Sequence, residues 1–305
     1  MKNPKVLIPL LAALGLLVVS IFLPKPELHV SLAPEIVLYH GPSWFTNTYL
    51  TTIIVDIILI VGALVVRAGL RREVPKGFTN VMEAIIDFLR SNLVEGIAGK
   101  NTGRFFPFVA TIFFLVIVSN YVGLIPGVNT IQSPWSAPAH DHALAGAEMV
   151  ASEAGLANVT AAAEEGHVST KPLLRAPSTD LNMTFALAIL TMVMVQYFGF
   201  KDLGVRYLRK FFAFKKGGLG AVMGVVGLLE LLSEFAKIVS FAFRLFGNIF
   251  AGEVLLAVMA FLIPFMVPSV FYGFEIFVGF IQAAVFMMLA LIFFQSATVS
   301  HDDHH

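Results

Sequence analysis

The chain has 305 residues, 57% of them hydrophobic and 13% charged, with Lys and Arg balancing Asp and Glu and no cysteine. Ordinary globular chains carry roughly 25% charge, so a standard soluble domain is excluded, and the neutral balance argues against nucleic acid as a partner. The lack of cysteine rules out disulfides, thiolate metal sites and cysteine nucleophiles, and long unbroken apolar runs favour spanning helices over alternating barrel strands.

Residues 6–23 are apolar and follow Lys2 and Lys5, in the manner of a signal peptide. No small-x-small cleavage site follows, only Pro24-Lys-Pro26, so an uncleaved first span is expected, then an external segment to residue 47. Residues 48–66 form a second span containing one acid, Asp56, read as a buried, hydrogen-bonded group without a transport role. Arg67, Arg71, Arg72 and Lys76 follow and place this end in the cytoplasm by the positive-inside rule. Residues 78–98 carry apolar positions at helical spacing but also Glu83, Asp87, Arg90 and Glu95. That is too much charge for a span, and the pattern predicts an amphipathic helix at the cytoplasmic interface. Residues 105–125 lead outward as a span.

Residues 127–178 form a long polar, acid-rich segment with few bases, as fits the outer face. Residues 179–200 return inward. Lys201, Arg206, Arg209, Lys210, Lys215 and Lys216 then mark a cytoplasmic loop. Residues 221–263 form a helical run on the order of 60 Å long at about 1.5 Å per residue, about twice the hydrocarbon thickness. It must incline, bend or project. Pro264 and Pro268 bracket a turn, and residues 271–294 come back. The tail with His301, Asp302, Asp303, His304 and His305 reads as solvated rather than as a metal site. Asn158 and Asn182 open weak glycosylation motifs. The expected architecture is an all-α polytopic membrane protein of one domain, in stretches 1–47, 48–126, 127–178 and 179–305. No cofactor or metal is expected.

The long run carries the chemistry. Arg244 sits in a segment apolar enough for the bilayer core, where a charge costs roughly 2.5–3.5 kcal/mol on insertion scales and marks a functional site by default. At about 100° per residue, Glu230, Lys237, Ser240 and Asn248 share the face of Arg244, whereas Glu253 points to the opposite side. Glu275 and Gln282, seven apart on the last helix, form a second polar stripe. Paired as a hairpin, the two helices would bring Glu253, Glu275 and Gln282 to one aqueous crevice reaching the outer side, with Glu230 and Glu234 nearer the cytoplasm. A guanidinium keeps its proton and acts as an electrostatic barrier, while carboxylates can take up and release protons. Each residue has a structural alternative, as counter-ion, interhelical hydrogen-bond partner or packing group.

The run from Glu230 through Lys237, Ser240, Arg244-Leu-Phe-Gly-Asn248 to Glu253 closely resembles the membrane subunit a of F-type ATP synthases. Ala176-Pro-Ser-Thr-Asp180-Leu-Asn182-Met-Thr184, Ser119-Asn120-Tyr-Val-Gly-Leu-Ile-Pro126 and Ile281-Gln282-Ala-Ala-Val-Phe-Met support the resemblance, which covers roughly residues 40–298. It implies a proton-conducting stator, not catalytic by itself, whose inclined C-terminal helix hairpin faces a rotating ring of c subunits. Subunit b of the peripheral stalk and the other synthase subunits would be partners, in the lipid bilayer of a bacterial cell membrane. By the resemblance Arg244 separates two half-channels, Asn248, Glu253, Glu275 and Gln282 line the outer one, and Glu230 and Ser240 belong to the cytoplasmic one. The translocated ion is expected to be the proton, with sodium not excluded by this chain. Ile238 stands where many members have proline, and Glu275 where some have histidine. No nucleotide-binding GxxxxGK[ST] run is present. A stand-alone secondary ion transporter is the alternative. It would need paired broken helices in two repeated halves, and the halves here look unalike.

Overall fold

A computed structural model describes residues 45–71, 77–125, 172–210, 218–263 and 266–299, with a few single residues between them. The expected first span over 6–23, most of the external segment to residue 47, the polar segment up to residue 171 and the His/Asp tail lie outside the described residues. All regular elements among the described residues are helical, and five helices are long and apolar enough to cross a membrane. The protein is an all-α polytopic membrane protein.

Helix α1 spans Asn47–Gly69 and is capped by Thr46, whose side chain accepts from the Tyr49 N–H. Helix α2 spans Phe78–Phe88 and is prolonged by a π-helical segment Leu89–Val94 and a turn Glu95–Ala98. Gly99 then adopts a positive φ of 51°, which glycine reaches without penalty, and separates this amphipathic stretch from α3, Thr102–Leu124. Gly69 of α1 packs so closely on Thr79 that a Cβ there would overlap its side chain, which closes the α1–α2 corner.

A strap, residues 172–180, buried from Arg175 onward, leads into α4, Leu181–Leu203, which Asp180 caps by accepting from the Asn182 N–H at 2.8 Å. Helix α5 runs unbroken over Gly218–Leu262, about 68 Å at about 1.5 Å per residue, well beyond the hydrocarbon thickness. Helix α6 spans Met266–Thr298. The two-proline turn expected between them is shorter than the sequence suggests. Pro268 lies inside the first turn of α6, where its missing N–H would have been unpaired in any case.

Helix α6 packs most extensively on α3, and α4 wedges against both α5 and α6. Helices α5 and α6 therefore belong to a four-helix bundle rather than forming a free-standing hairpin. Bulky aromatics lock it: Phe105 of α3, Phe198 of α4 and Phe294 of α6 meet with ring centroids 5.0–5.7 Å apart, and Phe241 of α5 meets Phe286 of α6 at 4.7 Å. Helix α1 stands outside this bundle, buried only at Asn47, Thr48, Thr51 and Val55. Asp56, expected to be buried and hydrogen-bonded, is exposed beside Ile57 and bonds to no other described residue. The neighbours cover the Val55 side of α1, and a uniformly apolar span carries no sign of which face that will be.

Candidate functional site

Three polar groupings lie along α5, at different depths. Near its C-terminal end, Glu253 receives a hydrogen bond from Nη2 of Arg175 at 3.2 Å. The Arg175 side chain is 4% exposed and that of Glu253 26%, so this is an interior pair. Glu275 of α6 is buried against Gly252, where a Cβ would overlap its carboxylate. Only glycine at 252 lets an acid from α6 lie on the α5 backbone next to Glu253. The two carboxylates share a cavity of about 220 Å³ with Asn120, Thr179, Tyr272 and Pro268 in its wall.

The roof of the cavity is the strap, and hydrogen bonds fix it on two sides. On the α1 side, Thr51 Oγ1 accepts from the Arg175 N–H at 3.2 Å and Thr48 donates to Asp180 at 2.8 Å. On the α3 side, Ser178 donates to Asn120 Oδ1 at 2.8 Å, and Asn120 Nδ2 donates to the Gly279 carbonyl of α6 at 3.4 Å. Gly123 admits Ala176 in a contact that a Cβ would abolish. The strap is therefore a built part of the site.

One to two turns inward along α5, Asn248 Nδ2 donates to Oε1 of the buried Gln282 at 3.4 Å. Gln282 Nε2 is buried and has no hydrogen-bond partner. Arg244 lies one turn further. It is exposed on α5 and makes no hydrogen bond or ion pair with any other described residue. Ser240, a turn before it, is exposed as well.

The third grouping lies in the N-terminal half of α5. Glu234 is buried, accepts from Lys237 Nζ at 2.9 Å and from Gln196 Nε2 of α4 at 3.3 Å, and stands at one edge of an apolar cavity between α4 and α5. The Lys237 ammonium also lies 5.1 Å from the ring centre of Phe293. Glu230, one turn earlier, is half-buried. Arg244 is ten residues from Glu234 and nine from Glu253, about 15 Å and about 14 Å along the axis. It stands between two interior acids, and each of those acids already has a different cation.

The structure thus brings Glu253 and Glu275 together, pairs Asn248 with Gln282, and leaves Arg244 and Ser240 exposed on α5. Sequence reasoning missed Arg175 as the partner of Glu253 and Asn120 as a cavity residue. Arg175 is 78 positions from Glu253, and no periodicity within one helix could connect them. The quoted Asn120 and Ala176-Pro-Ser-Thr-Asp180 motifs were the available signal, since both border the cavity.

Residues 49–295 match the ATP synthase A chain family. Among curated proteins, the chain is 29% identical over 250 residues to ATP synthase subunit a of Geotalea daltonii, covering 81% of this chain and 85% of that one. It is 27% identical over 269 residues to ATP synthase subunit a of Moorella thermoacetica, covering 88% and 98%. The corresponding protein of Trichlorobacter lovleyi is 28% identical over 260 residues, covering 85% and 90%.

Proposed function

The chain belongs to the ATP synthase A chain family and is a multi-pass membrane subunit of that kind. We propose that it is the proton-conducting stator of the membrane sector. In this reading it catalyses no bond-making itself and works in a bacterial cell membrane against a ring of c subunits, with subunit b and the remaining synthase subunits as partners.

The observation that carries the proposal is Arg244. It is a cation in mid-helix, exposed on α5 and unpaired among the described residues, between two interior polar groupings that lie about 14 Å and about 15 Å from it along the axis. A charge held in hydrocarbon is expensive unless a partner meets it. A carboxylate on a passing ring subunit would be that partner. On the outer side Glu253, Glu275, Asn248 and Gln282 form a polar route from the cavity toward Arg244. On the inner side Glu230, Glu234 and Ser240 form the second route. Because the guanidinium does not release its proton, protons would not pass directly between the routes. Each would have to board a ring carboxylate on one side and leave it on the other. An elementary charge crossing the membrane supplies about 2.3 kcal/mol per 100 mV, which rotation would convert.

The test is ATP-driven acidification of inverted membrane vesicles carrying wild type or Arg244→Ala, with assembly of the complex checked on the same membranes. Loss of pumping in an assembled complex is expected. Normal pumping by an assembled Arg244→Ala complex would make the arginine structural and overturn the mechanism.

A further inference from the structure

We propose that Arg175 is a positioning residue of the outer route: it holds the Glu253 carboxylate in place in the cavity it shares with Glu275. The inference rests on the half-channel reading above.

Glu253 and Glu275 face one cavity of about 220 Å³, and two carboxylates so close repel each other. Arg175 offsets that repulsion on one of them only. Its guanidinium reaches Glu253, while the Glu275 carboxylate bonds to no other described residue. Arginine suits the task because one of its donors reaches the Glu253 carboxylate and it keeps its charge. A mobile loop would hold Glu253 poorly, but Arg175 is not on one. Its side chain is buried, its own N–H is bonded to Thr51 of α1, and the strap is secured again at Ser178 and Asp180. A broken pair would let the Glu253 side chain turn within the cavity, and a misplacement of about 1 Å can cost a hundredfold in a positioned reaction. Among the described residues, the other titratable groups around the pair are Glu275 and Tyr272 of α6, in the cavity wall, and Asp180 in the strap, which is occupied by Thr48.

The experiment uses vesicles containing the whole synthase and measures ATP-driven acidification and passive proton conduction, with assembly quantified. Arg175→Gln is expected to lower conduction by about tenfold to a hundredfold, and Arg175→Lys to recover most of it. Arg175→His should conduct well at outer-side pH below about 6.5, where an imidazole is cationic, and progressively less above it, a dependence absent from wild type. Arg175→Gln combined with Glu253→Gln should be no worse than Glu253→Gln alone. Wild-type conduction by assembled Arg175→Gln, a Lys variant as poor as the Gln variant, or a His variant with the wild-type pH profile would each overturn the proposal. If Arg175→Gln does not assemble, the Lys and His variants decide by the same criteria. Arg244→Ala in the same vesicles separates this result from failure of the stator reading, since it tests the barrier and does not touch the strap.

Discussion

At residue 252 the absence of a side chain is what the site depends on. The Glu275 carboxylate occupies the space where a Cβ would stand. Gly252→Ala should push that carboxylate off α5 and reduce ATP-driven acidification by about tenfold or more in assembled complexes. Gly96→Ala serves as the control, because open space surrounds that position and no loss is expected there. Equal activity of the two variants would show that Glu275 need not lie where it does. Residue-scale reading from sequence had definite reach. The nine-residue interval between Arg244 and Glu253 is enough to place them on opposite sides of one helix. It could not supply the partner of Glu253 or the exposure of Asp56, because a helical wheel describes directions and says nothing of which neighbour will stand there.

The strap and the helix it caps can be tested as elements. Asp180 performs two tasks, accepting from the Asn182 N–H that starts α4 and from the Thr48 hydroxyl of α1, each at 2.8 Å. Asp180→Ala removes both and should lower stability by about 1–2 kcal/mol from the lost cap alone. Thr48→Val removes the cross-link and the hydroxyl contact with Thr46 but leaves the α4 cap, and should cost less. Thermal unfolding of the purified complex in detergent would rank them, and a milder effect for Asp180→Ala than for Thr48→Val would refute this account. The helices themselves were legible in the sequence to within a few residues, since long apolar runs bounded by basic clusters leave few choices. Their ends were less so. Helix α6 begins at Met266, ahead of the expected residue 271, because proline is tolerated in a first turn and so does not mark a boundary there. The bundle around α6 was also hidden, since contacts among α3, α4 and α6 arise from side-chain shape and not from any local period.

For the molecule as a whole, the proposed mechanism requires that its two polar routes open to opposite sides. The chain has no cysteine, so single cysteines can be introduced on a silent background. A membrane-impermeant thiol reagent should label Glu275→Cys from the outer side and Glu234→Cys from the cytoplasmic side of sealed vesicles. Labelling of both from one side would mean a continuous pore, which could not drive rotation. Helices α5 and α6 also expose Leu232, Phe235, Phe243, Phe274 and Phe277, an apolar surface that lipid or a partner must cover.

The three-way contact of Phe105, Phe198 and Phe294 gains a different meaning once neighbouring parts are in motion. Beside it, Arg104 of α3 pairs with Asp202 at the end of α4 and lies 4.9 Å from the ring centre of Phe198. If a ring turns against α5 and α6, it drags on them sideways at every step. Any bending they allow would dissipate work before it reached the axle. Close-packed rings compress little, so α3 and α4 act as a brace, and stiffness, more than stability, is the property this aromatic knot provides.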